Sequence, residues 1–401
     1  MRKYLAENCT IYVRMLRGMD KERYHLMLVN DFPPILGGQS SYLEHLCKAF
    51  PSEQLTVLAP SCAGDTAFDI GVPFCVARRS YLFSAWFLTK PLKILGVFFW
   101  SWVLIVQRRP SLLHCAHVLS TGLTGLFFKK VLGLDYLVCT HSADILEYKD
   151  SFLIRRIQNM VLGSAKYVLA NSRFTARALE ALGVMKDKII IVHPRIDPGA
   201  FRPTEGESAL LGKYGLTDKR YIFSLNRLVA RKGNDTVIRA LPVILRQVPD
   251  VCYVIFGNGP EERRLRALAA SMTLEEKVVF ISGTGDEKKA LLQGCSVFAM
   301  VSRDIPEKGD YEGFGVVYLE AGACGKAVIA GDSGGVRDAV KDNVTGLLVD
   351  PLNVEAVADT AIRLLKDPDW AAKLGEAGRQ RVEKDFNSNL PVKELAGIWH
   401  D

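Results

Sequence analysis

Two successive series of short apolar strands, each strand followed by a turn-rich loop and a helical pattern, constrain this 401-residue chain more than any other feature. The first series predicts strands at His25–Asp31, Leu55–Ala59, Leu112–Ala116, Tyr136–Thr140, Tyr167–Ala170 and Ile189–His193. The second predicts Tyr221–Leu225, Cys252–Phe256, Val278–Ile281, Val297–Val301, Ala327–Ala330 and Gly346–Val349. Strands alternating with helices imply an α/β chain with parallel, doubly wound sheets. Between the series, Phe201–Gly215 breaks into Pro, Gly, Glu and Ser, the composition of a linker. The expected organisation is a first domain over 1–205, a second over 206–385, and a tail over 386–401 that could cross back to the first. Long helices over Val354–Leu365 and Ala371–Lys384 close the second series, and residues 1–24 stay unplaced. Ligands of such sheets bind beyond the carboxyl ends of the strands, so function is expected in the cleft between the domains.

Charge is uneven along the chain. Residues 1–200 hold 24 Lys/Arg against 15 Asp/Glu, while residues 201–401 hold 27 against 29. A basic first half predicts an anionic partner. No compact basic run or nucleic-acid module accompanies it, so an anionic membrane or a phosphate-bearing acceptor fits better than nucleic acid. Nine scattered cysteines, never in C-x-x-C spacing, argue for reduced thiols and against a zinc site. The N-terminal residues lack an apolar signal core, and a cytoplasmic location is expected. The thirteen-residue run Ile94–Val106 carries no charge and is flanked by Lys90, Lys93, Arg108 and Arg109. It is short of the about 20 residues that span a bilayer. Two readings stand: a buried core helix, or a helix half-sunk in a membrane interface.

The chemistry-bearing residues cluster in the second half. Glu312-Gly-Phe-Gly-Val-Val-Tyr-Leu-Glu320 places one carboxylate on a glycine-bearing loop and another inside the apolar helical run Val316–Ala323. Gly313 and Gly315 let backbone approach a ligand at a helix N-terminus, where free amides favour phosphate. A carboxylate in an apolar helix suits a polyol such as ribose, because it accepts hydrogen bonds from two hydroxyls. Upstream, Arg227 and Lys232 follow the strand Tyr221–Leu225, where two cations can neutralise a departing diphosphate. Arg231 is expected to point elsewhere. Gly37-Gly38 after the first strand can approach phosphate, although a Gly-Gly turn alone is usually structural. His141 and Asp144 follow the strand ending at Thr140. His114 and His117 read as a structural pair whose side chains point to opposite faces of a strand. Ser172 is an expected helix N-cap. Gly257 lies in Phe256-Gly-Asn-Gly-Pro-Glu261, Gly283 in a strand-end turn, and Asp332-Ser-Gly-Gly335 in a further strand-end turn. Asp367-Pro-Asp369 has the letters of a metal motif but lies between C-terminal helices, so it reads as a turn.

Taken together, these segments resemble the retaining GT-B glycosyltransferases of glycosyltransferase family four. Glu312 and Glu320 match its E-x7-E signature, and Asn226–Gly233 matches its (G/S)-R-L-x-x-x-K-G loop, with Asn226 in place of Gly or Ser. The Gly-Pro-Glu turn and the Gly37-Gly38 loop also match. The segment Glu312–Val340 looks closest to the phosphatidylinositol mannosyltransferase branch. The resemblance implies two Rossmann-like domains facing a deep interdomain cleft. It also implies a hexosyltransferase using a nucleotide-diphosphate sugar, with GDP-mannose the leading donor and a UDP-glucose or UDP-N-acetylglucosamine donor the alternative. A lipid-linked or glycan acceptor at the cytosolic membrane face is implied as partner, with no cofactor and no metal. Glu312 would bind sugar hydroxyls, Glu320 the ribose, Arg227 and Lys232 the diphosphate, and amides at Phe314, Gly315 and Val316 the sugar. His141, beside Ser142 where the family usually has Gly, would face the transferred sugar. A dehydrogenase is disfavoured because the first strand lacks G-x-G-x-x-G. A non-catalytic nucleotide-binding protein is disfavoured because Glu312, Glu320, Arg227 and Lys232 are all present.

Overall fold

A computed structural model of the chain describes residues 24–35, 37–80, 89–148, 150–202 and 208–399. The unplaced residues 1–23 and the expected domain boundary at 205/206 lie outside the described residues. The first sheet has seven strands: β1 (His25–Leu28), β2 (Leu55–Pro60), β3 (Cys75–Arg79), β4 (Leu112–Cys115), β5 (Asp135–Thr140), β6 (Tyr167–Ala170) and β7 (Ile189–Ile191), in the order 3-2-1-4-5-6-7. The second has six: β8 (Tyr221–Leu225), β9 (Cys252–Phe256), β10 (Val278–Ile281), β11 (Val297–Met300), β12 (Val328–Gly331) and β13 (Leu347–Val349), in the order 10-9-8-11-12-13. Neighbouring strands in both sheets pair in parallel. The two Rossmann-like sheets expected from the alternation are therefore present.

Side chains alternate across each sheet and feed a separate core on either face. Leu26 and Leu28 enter one core of the first domain and Met27 the other. In the second domain Tyr221, Phe223 and Leu225 enter one core and Ile222 the other. Strands such as β1 and β8 are buried throughout, which explains their predominantly apolar sequence, with only His25 and Ser224 polar. The strand β3 was not expected from the sequence. It is a half-exposed edge strand ending in Arg78 and Arg79, so only part of it carries an apolar signal. Arg78 pairs with Asp69 at 2.8 Å, and Arg79 lies 4.6 Å from the Trp100 ring centroid.

Beyond the helix Pro368–Asp385 the backbone returns to the first sheet. Ile196 N–H donates to the Phe386 carbonyl at 2.9 Å and Ser388 N–H to the Ile196 carbonyl at 2.8 Å. Val392, Leu395 and Ile398 are then buried in the core that holds Met27 and Phe50.

The helix Thr89–Arg108 packs one side into the core, as the first of the two readings expects, and leaves the other side exposed. Val97, Ser101, Leu104 and Ile105 are buried, while Leu95, Phe99, Trp102 and Val106 on its other side are exposed. Among the described residues no helix is long and apolar enough to cross a membrane.

Strand order reverses direction between β1 and β4 in the first sheet and between β8 and β11 in the second. At such switch points the following loops part in opposite directions and leave a crevice at the strands' carboxyl ends. Gly37 and Gly38 follow β1, His117 follows β4, Arg227 and Lys232 follow β8, and Glu312 follows β11.

Candidate active site

The loops at the second switch point close on one carboxylate. Lys232 Nζ and Arg231 Nη1 each lie 2.6 Å from Glu312 Oε2, and the Ser302 hydroxyl donates to the same oxygen at 3.1 Å. Arg231 also reaches Asp310 through Nε at 2.7 Å. Two cations and two carboxylates are thus held together largely out of water. Burial disfavours the charge on Glu312, but Lys232 and Arg231 overcome it and hold the carboxyl at about 2. The expectation that Arg231 points elsewhere is corrected here. Its side chain turns inward because Asp310 and Glu312 give its guanidinium two anionic partners that solvent on the other side would not replace. Arg227 is exposed and makes no ion pair among the described residues, so its charge remains open to the cleft.

Secondary structure fixes this arrangement. The loop after β8 makes one 3-10 turn over Ala230–Lys232 and enters the helix Asn234–Gln247 through Gly233. Arg303, after β11, ties the two loops by donating to the Ala230 carbonyl at 3.0 Å and to Asp235 at 2.7 Å. Gly257 and Asn258 buttress the same loop from behind: Asn226 N–H donates to Phe256 and Leu228 N–H to Asn258. Gly257 is thereby placed as support for the Asn226–Leu228 backbone, and a β-carbon there would lie 2.0 Å from the Asn226 carbonyl oxygen.

Gly315 is the N-cap of the helix Val316–Ala323 and has φ of 88°, a left-handed conformation that glycine tolerates best. The Phe314 side chain is buried against His193 and Phe386, so only its backbone can serve a ligand. The Val316 and Val317 amides precede the first bond of that helix, which Tyr318 N–H makes to the Gly315 carbonyl at 3.0 Å, and so have no acceptor within it. On the same helix Glu320 accepts from Lys288 Nζ at 2.8 Å through Oε1. Its Oε2 is buried and has no hydrogen-bond partner among the described residues. Gly283 lies in the exposed turn after β10, where Thr284 and Glu287 form a reciprocal cap of the helix Gly285–Gly294 that carries Lys288. Lys288 has no counterpart in the sequence reading. Its signal, a lysine mid-helix after a strand-end turn, is indistinguishable from a solvated one.

The first domain meets this site at Gly313. A β-carbon there would come within 2.9 Å of both the His141 carbonyl oxygen and Asn171 Nδ2, and 3.0 Å of Ser142 Oγ. His141 is buried edge-on to Tyr42 at 5.2 Å, and its Nε2 has no partner among the described residues. Burial, with nearby His117 adding to it, pushes the imidazole down to about 3, so His141 is neutral at physiological pH. Asp144 Oδ1 accepts from the His141 amide at 2.9 Å. Burial raises the Asp144 carboxyl to about 7. Ser142 has φ of 67° and ψ of −59°, and Ala143 N–H donates to the His141 carbonyl at 2.9 Å. This is a γ-turn of the strained positive-φ kind, which explains why glycine suits the position.

His114 and His117 do not share a strand. His114 is inside β4 and buried, with Nε2 2.9 Å from His25 Nδ1. His117 lies beyond the strand end, in the switch-point loop near His141. Gly37 and Gly38 are exposed at the start of the helix Gly38–Lys48, with no atom within 4 Å of where a β-carbon would be. Ser172 caps the helix Arg173–Ala181 by accepting from Thr175 N–H at 3.1 Å, as expected. Asp367 likewise caps its helix, accepting from Trp370 N–H at 2.9 Å.

Comparison with known proteins agrees with this geometry. Residues 36–199 match the family model "Glycosyltransferase Family 4", and residues 210–381 match "Glycosyl transferases group 1". The chain is 33% identical over 360 residues to a GDP-mannose-dependent alpha-(1-6)-phosphatidylinositol monomannoside mannosyltransferase of Mycolicibacterium smegmatis, covering 88% of this chain and 92% of the relative. It is 30% identical over 390 residues to a monoacylated-substrate counterpart from Corynebacterium glutamicum, covering 95% and 98%. In fold it is similar to Anabaena HepE, solved with UDP and glucose, at a TM-score of 0.78 and 19% identity over 94% of this chain and 100% of that one. Sucrose-phosphate synthase from Thermosynechococcus elongatus gives 0.78 at 22% identity, covering 94% and 98%. Paired Rossmann-like domains, the loops meeting at Glu312 and these relatives lead to one conclusion: the chain is a hexosyltransferase and belongs to the GT-B glycosyltransferases of family four.

Proposed function

We propose that the chain moves a mannosyl group from GDP-mannose to a lipid-linked acceptor at the cytosolic membrane face, with retention of anomeric configuration. The observation that carries this reading is the Lys232–Glu312 pair at the second switch point, opposite the His141 turn of the first domain. The donor and the lipid character of the acceptor follow the names of the mycobacterial and corynebacterial relatives.

In this reading Arg227, Lys232 and the first-turn amides near Val316 receive the diphosphate. Glu312 Oε1, which takes none of the three bonds made to Oε2, accepts hydrogen bonds from sugar hydroxyls. Glu320 accepts from the ribose hydroxyls through Oε2. Neutral His141 faces the sugar and lends it no opposing positive charge as the anomeric carbon becomes cationic. The bond from that carbon to the diphosphate oxygen breaks first. The departing oxygen then takes the acceptor hydroxyl's proton while the acceptor oxygen bonds the same face of the carbon. Glu312, tied to Lys232 and Arg231, is a hydroxyl ligand in this scheme and not a nucleophile. No metal takes part.

Purified protein incubated separately with GDP-mannose, UDP-glucose and UDP-N-acetylglucosamine tests the donor. GDP-mannose should be bound and slowly hydrolysed, and Lys232→Ala should abolish hydrolysis. Turnover of none of the three would contradict the reading.

A further inference from the structure

Three of the helices on one side of the first sheet, Thr89–Arg108, Thr121–Leu132 and Phe152–Ser164, carry seven Lys/Arg and no Asp/Glu. They form one continuous layer. Phe98 packs against Phe127 at 4.7 Å and Phe128 at 5.2 Å across the first pair. Gly122 of the second helix lies so close to the third that a β-carbon would meet Val161 at 2.8 Å. The outer surface of this layer is apolar as well as basic. Phe99, Trp102, Phe127 and Val131 are exposed, and Phe152 and Leu153 are 80% and 67% exposed. Lys130, Arg155 and Arg156 are exposed among them.

A monomer surface rarely leaves so many large apolar side chains together in water without a use. Resting on the lipid-acceptor reading above, we infer that this three-helix face docks onto an anionic bilayer. The aromatic and aliphatic side chains enter the headgroup boundary, and the basic residues meet lipid phosphates. Charge selects this occupant over a second copy, because pairing two such faces would set Lys130, Arg155 and Arg156 against their own counterparts. Position supports it too. Gln158, in the third helix, donates to the Asp144 carbonyl at 2.9 Å, and Asp144 holds the His141 turn. The helix that begins with Phe152 and Leu153 is therefore braced against the wall of the site. A head group whose acyl chains stay in the bilayer can reach the cleft from that side.

Full-length protein is pelleted with vesicles of phosphatidylcholine alone or containing phosphatidylglycerol, at low and high salt, and nucleotide-sugar hydrolysis is measured without vesicles. Anionic vesicles should bind the protein in a salt-sensitive way. A Phe152→Asp/Leu153→Asp variant and an Arg155→Glu/Arg156→Glu variant should each lose about tenfold or more in partitioning while hydrolysing donor at the parental rate. Leu352→Asp, an equally exposed position in the second domain, should change neither. Parental pelleting by both first-domain variants would overturn the surface assignment, as would failure of the parent to bind anionic vesicles at low salt. The latter result would redirect the face to an acidic protein. Vesicle binding without any donor hydrolysis would instead count against the enzymatic reading and leave the surface standing.

Discussion

Lys232 and Glu312 stand eighty residues apart in sequence and 2.6 Å apart in the fold, each on a loop that leaves its sheet at the same switch point. Neither loop alone makes a site. Glu312→Gln removes the charge that accepts from Lys232 and Arg231 and that, in the proposed mechanism, binds sugar hydroxyls. It is expected to lower kcat by about 10²–10³ with a smaller change in KM for donor. Lys232→Ala should lower kcat comparably and weaken nucleotide binding as well. Steady-state kinetics with varied donor separate the two effects.

With the proposed ribose contact, Glu320 and its partner Lys288 should govern affinity and not turnover. Among the described residues Glu320 Oε2 is buried without a hydrogen-bond partner, and Lys288 fixes the other oxygen at 2.8 Å. Glu320→Gln should weaken nucleotide binding by about 1.5–3 kcal/mol, the range for hydrogen bonds to a charged group. Saturating donor should restore most of kcat. Calorimetric titration with the free nucleoside diphosphate checks this, and unchanged affinity would remove Glu320 from the nucleotide site.

The ion-pair cluster also predicts a pH signature in stability. The folded-state value for Glu312 is about 2, below its ordinary 4.5, because Lys232 and Arg231 outweigh burial. Its contribution is therefore complete above pH 4.5 and is lost as pH falls from 4.5 toward 2. Between pH 6 and pH 3 the parent should lose about 2 kcal/mol through this group, and Glu312→Gln should lack that component. Urea unfolding of both proteins across this range measures it. The variant should be less stable at pH 6, because two cations are left buried without their shared partner.

The turn at Ser142 stores strain that can be released. Its φ of 67° with ψ of −59° is disfavoured for a residue bearing a β-carbon. Ser142→Gly should raise stability by about 0.5–1 kcal/mol, the relief of strain exceeding glycine's larger unfolded-state entropy. Thermal unfolding would show the gain, and a fall in Tm would mean that the Ser142 side chain contributes more than its backbone costs.

How much could be read beforehand followed physical lines. Strands buried on both faces, such as β9 and β11, announce themselves as unbroken apolar runs. The edge strand β3, with Arg78 and Arg79 facing partners in loop and helix, does not. Glu312, Lys232 and Glu320 were legible because the residues sit in dense local motifs. Arg231, Ser302, Asp310 and Lys288 were not, because their roles depend on contacts between segments up to eighty-one residues apart. His117 was misplaced because four strand residues end at Cys115, two short of it. The run Ile94–Val106 has a buried side and an exposed side, and a uniformly apolar sequence cannot show which residues belong to which.

The proposed reaction is transfer of mannose from GDP-mannose to a membrane-anchored acceptor with retention. Its most direct test incubates the protein with 13C-mannose-labelled GDP-mannose and vesicles containing a phosphatidylinositol monomannoside, followed by NMR of the extracted lipid. A new α-mannosyl linkage on the lipid head group is expected, formed by the parent and absent with Lys232→Ala. A β-linked product, or label that never leaves the nucleotide in the presence of that acceptor, would contradict it.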